Sequence, residues 1–207
     1  MKVSLSSASK SFGRETVFRD VSHVFEQGSR TAIIGPNGSG KSTLLQCVGG
    51  ALMLTKGTVK HEISGAVMAQ EEVYRHVSIA APYMSLYEDL SLREAIEIHK
   101  RFKPLLGDRS VEAVAEAALL SGQLEKPVRN FSSGMKQRLK LALAILSDTC
   151  LLLLDEPTSN LDANGAQWFV GFLNEHVGRR TLVVASNRVD VETALCTGTI
   201  DVQQYKG

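Results

Sequence analysis

The sequence predicts an α/β fold around a mainly parallel sheet, with an antiparallel β-subdomain and an inserted helical subdomain. Three observations predict it. Short apolar runs alternate with helical spacings, the pattern of strands joined by crossover helices. The run Cys150 to Leu154 is wholly apolar and ends in two acids, which suits a parallel strand buried on both faces. Between about 83 and 147, helical patterns follow one another with no strand among them.

Taken in order, Val3 to Leu5 and Val17 to Phe25 alternate as short strands do, with the turn SFGRET between them. Arg30 to Ile34 is a short apolar run that ends in a glycine-rich loop. A helix starts at Lys41 and stops near Val48, before Gly49-Gly50. Thr58 to His61, Ile63 to Ala69 and Val77 to Ala81 are further strands. Helical spacing follows at Ser91 to Phe102 and Val111 to Leu120, with Ser91 and Ser110 as N-caps, and again at Ser133 to Leu146. After Cys150 to Leu154 come a helix at Gly165 to Val177, a strand at Thr181 to Ala185, a short helix near Val189 to Leu195, and Thr199 to Val202. The expected organisation is one domain over 1–207, with a core of 1–82 and 148–207 and a helical subdomain at about 83–147.

Composition narrows the class. The 207 residues carry 23 Lys and Arg against 22 Asp and Glu, for a net charge of +1. With 43% hydrophobic and 22% charged residues, this excludes a disordered chain and argues against a strongly basic nucleic-acid coat. The three cysteines, Cys47, Cys150 and Cys196, are far apart and odd in number, which favours a reduced compartment over a disulfide framework. No CxxC or Cys/His cluster points to zinc. The first residues lack an apolar secretory core, and no apolar run approaches the roughly 20 residues that span a bilayer. A membrane role therefore requires a partner.

Two segments carry chemistry. Gly35-Pro36-Asn37-Gly38-Ser39-Gly40-Lys41-Ser42 fits GxxxxGK[ST] after a strand and before a helix, and Thr43 continues it. Glycines let backbone N–H groups turn inward around phosphate oxygens, and the helix adds its positive end. Lys41 can reach the outer phosphates, and the Ser42 hydroxyl can ligate magnesium. The second segment, Leu151-Leu152-Leu153-Leu154-Asp155-Glu156-Pro157, sets two carboxylates at the carboxyl end of a buried strand, where α/β sheets bind ligands. Asp155 can hold magnesium through water, and Glu156 can orient or deprotonate an attacking water.

Phe131-Ser132-Ser133-Gly134-Met135-Lys136-Gln137-Arg138 lies between these segments and ends 17 residues before Asp155. The trio, in that order and spacing, resembles the ATP-binding cassette (ABC) ATPase family, a class of P-loop NTPases, over essentially the whole chain. FSSGM stands where that family has LSGGQ, and Ser159-Asn160-Leu161-Asp162 matches its D-loop. The resemblance implies ATP and Mg2+ as ligands, with Phe12 stacking on adenine and Val17 beside it; the alternative for Phe12 is a core or turn residue. It implies that Ser132, Ser133 and Gly134, which could also serve as an ordinary N-cap, act on the γ-phosphate of a nucleotide held by an opposing cassette, and that Asp162 of the D-loop takes part in nucleotide binding. It further implies a head-to-tail homodimer or heterodimer that closes on ATP and opens on hydrolysis, powering transport by an integral membrane permease subunit on another chain. The expected location is cytoplasmic, on the inner face of the cell membrane, with no direct membrane insertion and no nucleic acid. A different class stays open: a soluble ATP-gated clamp or regulator.

The sequence departs from the family's pattern in three places. Ile79-Ala80-Ala81-Pro82-Tyr83 stands where the family has a glutamine. Asn187 follows the last sheet strand where the family has a histidine; it can donate a hydrogen bond but carries no proton or charge. Met135 replaces the signature's glutamine. These changes predict normal MgATP binding with slow or partner-dependent hydrolysis. Tyr83, Met84, Leu86 and Tyr87, within Ala81 to Leu92, form either a groove for the membrane partner or ordinary core packing.

Overall fold

The computed structural model describes residues 1–187 and 190–206. Its first strands, β1 (Lys2–Phe12) and β2 (Glu15–Phe25), pair antiparallel. They run longer than the sequence pattern suggests, because Ser11 faces Thr16 and Phe12 faces Glu15, and the turn shrinks to Gly13-Arg14. β3 (Arg30–Ile34) leads through the glycine loop into α1 (Lys41–Val48), as expected. Where strands at Thr58 to His61 and Ile63 to Ala69 are expected, the first runs on to Ile63 and the second is two residues long, so that β4 (Lys56–Ile63) and β5 (Ala66–Val67) form a hairpin. Its turn is Ser64-Gly65, with φ of 52° and 83°, the positive pair that a two-residue hairpin requires. A 3-10 turn over Gln70–His76, without a clear sequence signal, precedes β6 (Val77–Ala80).

The helices follow: α2 (Leu92–Phe102), α3 (Val111–Ala117) and α4 (Ser133–Leu146). Ser91, Ser110 and Ser132 cap them, each side chain accepting from the N–H three residues on. Then come β7 (Leu151–Asp155), α5 (Ala163–His176), β8 (Thr181–Ser186), α6 (Asp190–Thr193) and β9 (Gly198–Asp201), with a 3-10 turn at Val202–Tyr205. The expected start of the short helix at Val189 lies outside the described residues.

The strands sort into two sheets. One is antiparallel, in the order β2-β1-β4-β5; the other is parallel throughout, β6-β7-β8-β3-β9. The period-2 alternation of side chains then builds two cores around the parallel sheet. Leu152, Leu154, Leu182 and Val184 face the helices α2 to α5, packing with Ile96, Val114, Leu139 and Phe169. Leu151, Leu153, Val183 and Ala185 face α1 and the antiparallel sheet, packing with Leu44, Val48, Phe18 and Phe25. β7 and β8 are buried along their whole length, which is why they read as unbroken apolar runs. The register sets Ile34 beside Ser186 and Asp155 beside Ala185, so β3, β7 and β8 deliver their carboxyl ends to one edge.

Candidate functional site

That edge gathers the chemistry. The loop from Gly35 to Gly40 turns into α1 at Gly40, whose φ is 100°. A Cβ there would come within 2.5 Å of Val17 Cγ1, so the position accepts only glycine on both conformational and steric grounds. Lys41 is buried, 4% exposed, and its ammonium donates to Pro36 O at 3.1 Å and to Asn187 Oδ1. Among the described residues no carboxylate lies within ion-pair distance of it, so the enclosed charge is available to an anion.

Asn187 bridges the two chemical segments. Its amide nitrogen donates to Glu156 Oε1 at 3.2 Å, so Lys41, Asn187 and Glu156 form one chain of hydrogen bonds. Glu156 is set by its backbone: φ is 44°, and its N–H donates to Ala185 O at 2.9 Å. A positive φ in a glutamate before proline is a strained geometry held by its surroundings.

Asp155, just before it, is 1% exposed, and both carboxylate oxygens are buried. Burial raises its pKa, the Ser42 hydroxyl pulls it back, Glu156 pushes it up, Lys41 lowers it and Glu192 raises it. An enclosed carboxylate of this kind, beside a serine hydroxyl, is the donor set of a hard cation. These residues fit magnesium.

A cavity of about 440 Å³ opens above the loop, lined by Val17, Asn37, Gly38, Gly40, Lys41, Ser42, Thr43 and Glu156. Glu15, Thr16 and Lys206 complete its wall and were not singled out from the sequence; they arrive through the hairpin and the last 3-10 turn. Gly35 and Ser39 lie in the loop beneath, with Ser39 buried. Phe12 is half exposed at the end of β1, opposite Glu15, with the Lys10 ammonium 4.8 Å from its ring centroid.

Ser132, Ser133 and Gly134 line no part of that cavity and sit at the N-terminus of α4. Ser132 serves there as the N-cap, accepting from Met135 N at 3.2 Å. Asp162 likewise caps α5, accepting from Gly165 N at 2.8 Å. Within one chain, then, the phosphate loop and acids come together, while these four residues stand apart. Gln137, buried in the first turns of α4, donates to Pro157 O at 2.8 Å and ties the signature helix to the acidic turn.

The ABC transporter family profile matches residues 18–159. An ABC transporter ATP-binding protein of Bacillus subtilis (strain 168), YhcH, is 28% identical over 206 residues, 98% of this chain and 67% of that protein. The lantibiotic transport ATP-binding protein SrtF of Streptococcus pyogenes is 33% identical over 166 residues, 76% of this chain and 67% of that protein. The chain thus spans about two thirds of the length of these relatives. The solved structure of MJ0796, described as a dimeric bacterial ABC transporter cassette, superposes with a TM-score of 0.80 at 24% identity, covering 96% of this chain and 93% of that one.

Proposed function

Because the chain belongs to the ABC transporter family of ATP-binding proteins, we propose that it binds MgATP in the cavity above Lys41 and hydrolyses it across a head-to-tail pair of cassettes. The observation that carries this reading is the hydrogen-bonded run from Lys41 through Asn187 to Glu156, which links the phosphate loop to the acid. Loop N–H groups and Lys41 bind the triphosphate, and Val17 and Phe12 flank the base. Asp155 and Ser42 would hold magnesium, which would neutralise charge on the phosphate oxygens.

Glu156 accepts a proton from the attacking water as the water oxygen bonds to the γ-phosphorus and the bond to the bridging oxygen breaks. Asn187 orients water and γ-phosphate by hydrogen bonding alone. It cannot take up charge, and with no glutamine at Pro82 turnover is slow or partner-dependent. Ser132, Ser133, Gly134 and Asp162 stand outside the chain's own cavity, which supports a role on the nucleotide of an opposing cassette. The helices of 83–147 carry the Ser132–Gly134 part of that surface, and a permease subunit on another chain receives the motion from the cytoplasmic side. No helix among the described residues is long and apolar enough to cross a membrane.

Steady-state ATPase and nucleotide-binding assays test the reading. Glu156→Gln should lower kcat by about 100-fold or more and leave ATP affinity within a few-fold. Lys41→Ala should abolish ATP binding. Undiminished turnover in Glu156→Gln would remove that residue from the base role.

A further inference from the structure

Glu192 lies on the four-residue α6, carries a carboxylate, and is 4% exposed. An enclosed carboxylate is costly unless hydrogen bonds satisfy it. Here three do. Oε1 accepts from the Thr158 N–H at 3.0 Å and from Thr158 Oγ1 at 2.7 Å, and Oε2 accepts from Ser186 Oγ at 2.5 Å. Thr158 stands two residues after Glu156 and Ser186 one before Asn187, so the carboxylate spans the two segments whose side chains meet at 3.2 Å. Gln137 also holds the intervening Pro157, donating to its carbonyl oxygen at 2.8 Å.

We propose that Glu192 is a positioning residue for hydrolysis: it clamps the turn after Glu156 to the end of β8 and so holds Glu156 and Asn187 in mutual reach. It touches neither the phosphate cavity nor Lys41. Its loss should therefore act on the chemical step rather than on nucleotide capture. Short-range hydrogen bonds are sensitive to small displacements, so loosening this brace moves the water-activating pair out of alignment. The clamp works by geometry; the charge of Glu192 is felt separately, at the Asp155 carboxyl, whose pKa it raises. A glutamine there keeps an oxygen for Thr158 and turns its NH2 toward the Ser186 hydroxyl, which can accept.

This inference rests on the ATPase reading, so the experiment has one arm independent of turnover. In Glu192→Ala, kcat should fall at least 10-fold with KM and ATP affinity within about 2-fold, and Glu192→Gln should recover most of the rate. In an Asn187→Ala background, Glu192→Ala should cost far less than it does alone, because the residue it positions is gone. By hydrogen–deuterium exchange, segments 156–161 and 181–187 should exchange faster in Glu192→Ala, and as in the unmodified chain in Glu192→Gln. Unchanged exchange in Glu192→Ala, or equal loss of kcat in the Ala and Gln variants, overturns the clamp. An unmodified chain that binds ATP and shows no turnover, alone or in membranes, overturns the ATPase reading instead.

Discussion

Gly40 shows how a single position joins conformation to packing. Its φ of 100° suits glycine, and Val17 closes the space a Cβ would need, at 2.5 Å. Gly40→Ala must rotate the loop or displace β2, at a cost of about 2 kcal/mol or more. The expected outcome is at least a 10-fold loss of ATP affinity in a fluorescent-nucleotide titration, together with a lower melting temperature. The loop was legible in the sequence because its chemistry lies in eight consecutive residues. Glu192 was not, since its partners Thr158 and Ser186 come from other elements and nothing local marks it. Tyr83 was noted only as part of a possible groove. Its phenol is pushed up to about 12 by burial, with the Asp155 charge adding and a Gln46 hydrogen bond opposing, while half of the residue stays exposed.

At the scale of elements, α2 is held at both ends by devices of different character. Ser91 and Glu94 form a capping box at its start. Near its end His99 Nε2 meets Ser147 Oγ at 2.9 Å, just past α4. Burial pushes the His99 imidazole down to about 4, helped by the nearby Lys103 and opposed by the Leu143 carbonyl. The folded chain thus holds this histidine neutral where the unfolded chain, at about 6.5, would protonate it. Stability is intact above pH 6.5 and is lost as pH falls from there towards 4, by up to about 3 kcal/mol. Denaturant melts across that range should show the loss, and His99→Gln should flatten most of it. His61, lowered by burial despite its hydrogen bond to Val48 O, supplies a remainder in the same direction. The cap was readable because it is a four-residue pattern, whereas the histidine's burial depends on α4 arriving beside it.

For the whole molecule, the separation of the phosphate cavity from Ser132–Gly134 bears on assembly. If each nucleotide is shared between two copies, an ATP-loaded, hydrolysis-blocked chain should associate. Glu156→Gln with MgATP is expected to double in mass from 22.5 kDa in light scattering and to return to monomer when nucleotide is removed. A constant mass at high protein concentration excludes the homodimer and leaves a heterodimer with another cassette. The α/β class was legible at this scale, because β7 and β8 are buried on both faces and carry that fact as composition. The strand order was not: it depends on crossovers that no local pattern encodes.

That order has a consequence for how the chain is made. β3, which carries the phosphate loop, has β8 and β9 as its neighbours, and both come from residues 181–201. During synthesis the loop therefore leaves the ribosome on a strand with no edge to pair with, and waits until residues 181–201 have been made before its sheet can close. Nascent chains halted short of β8 should need chaperone protection of that apolar strand and should fail to retain nucleotide, although every residue of the loop is already present.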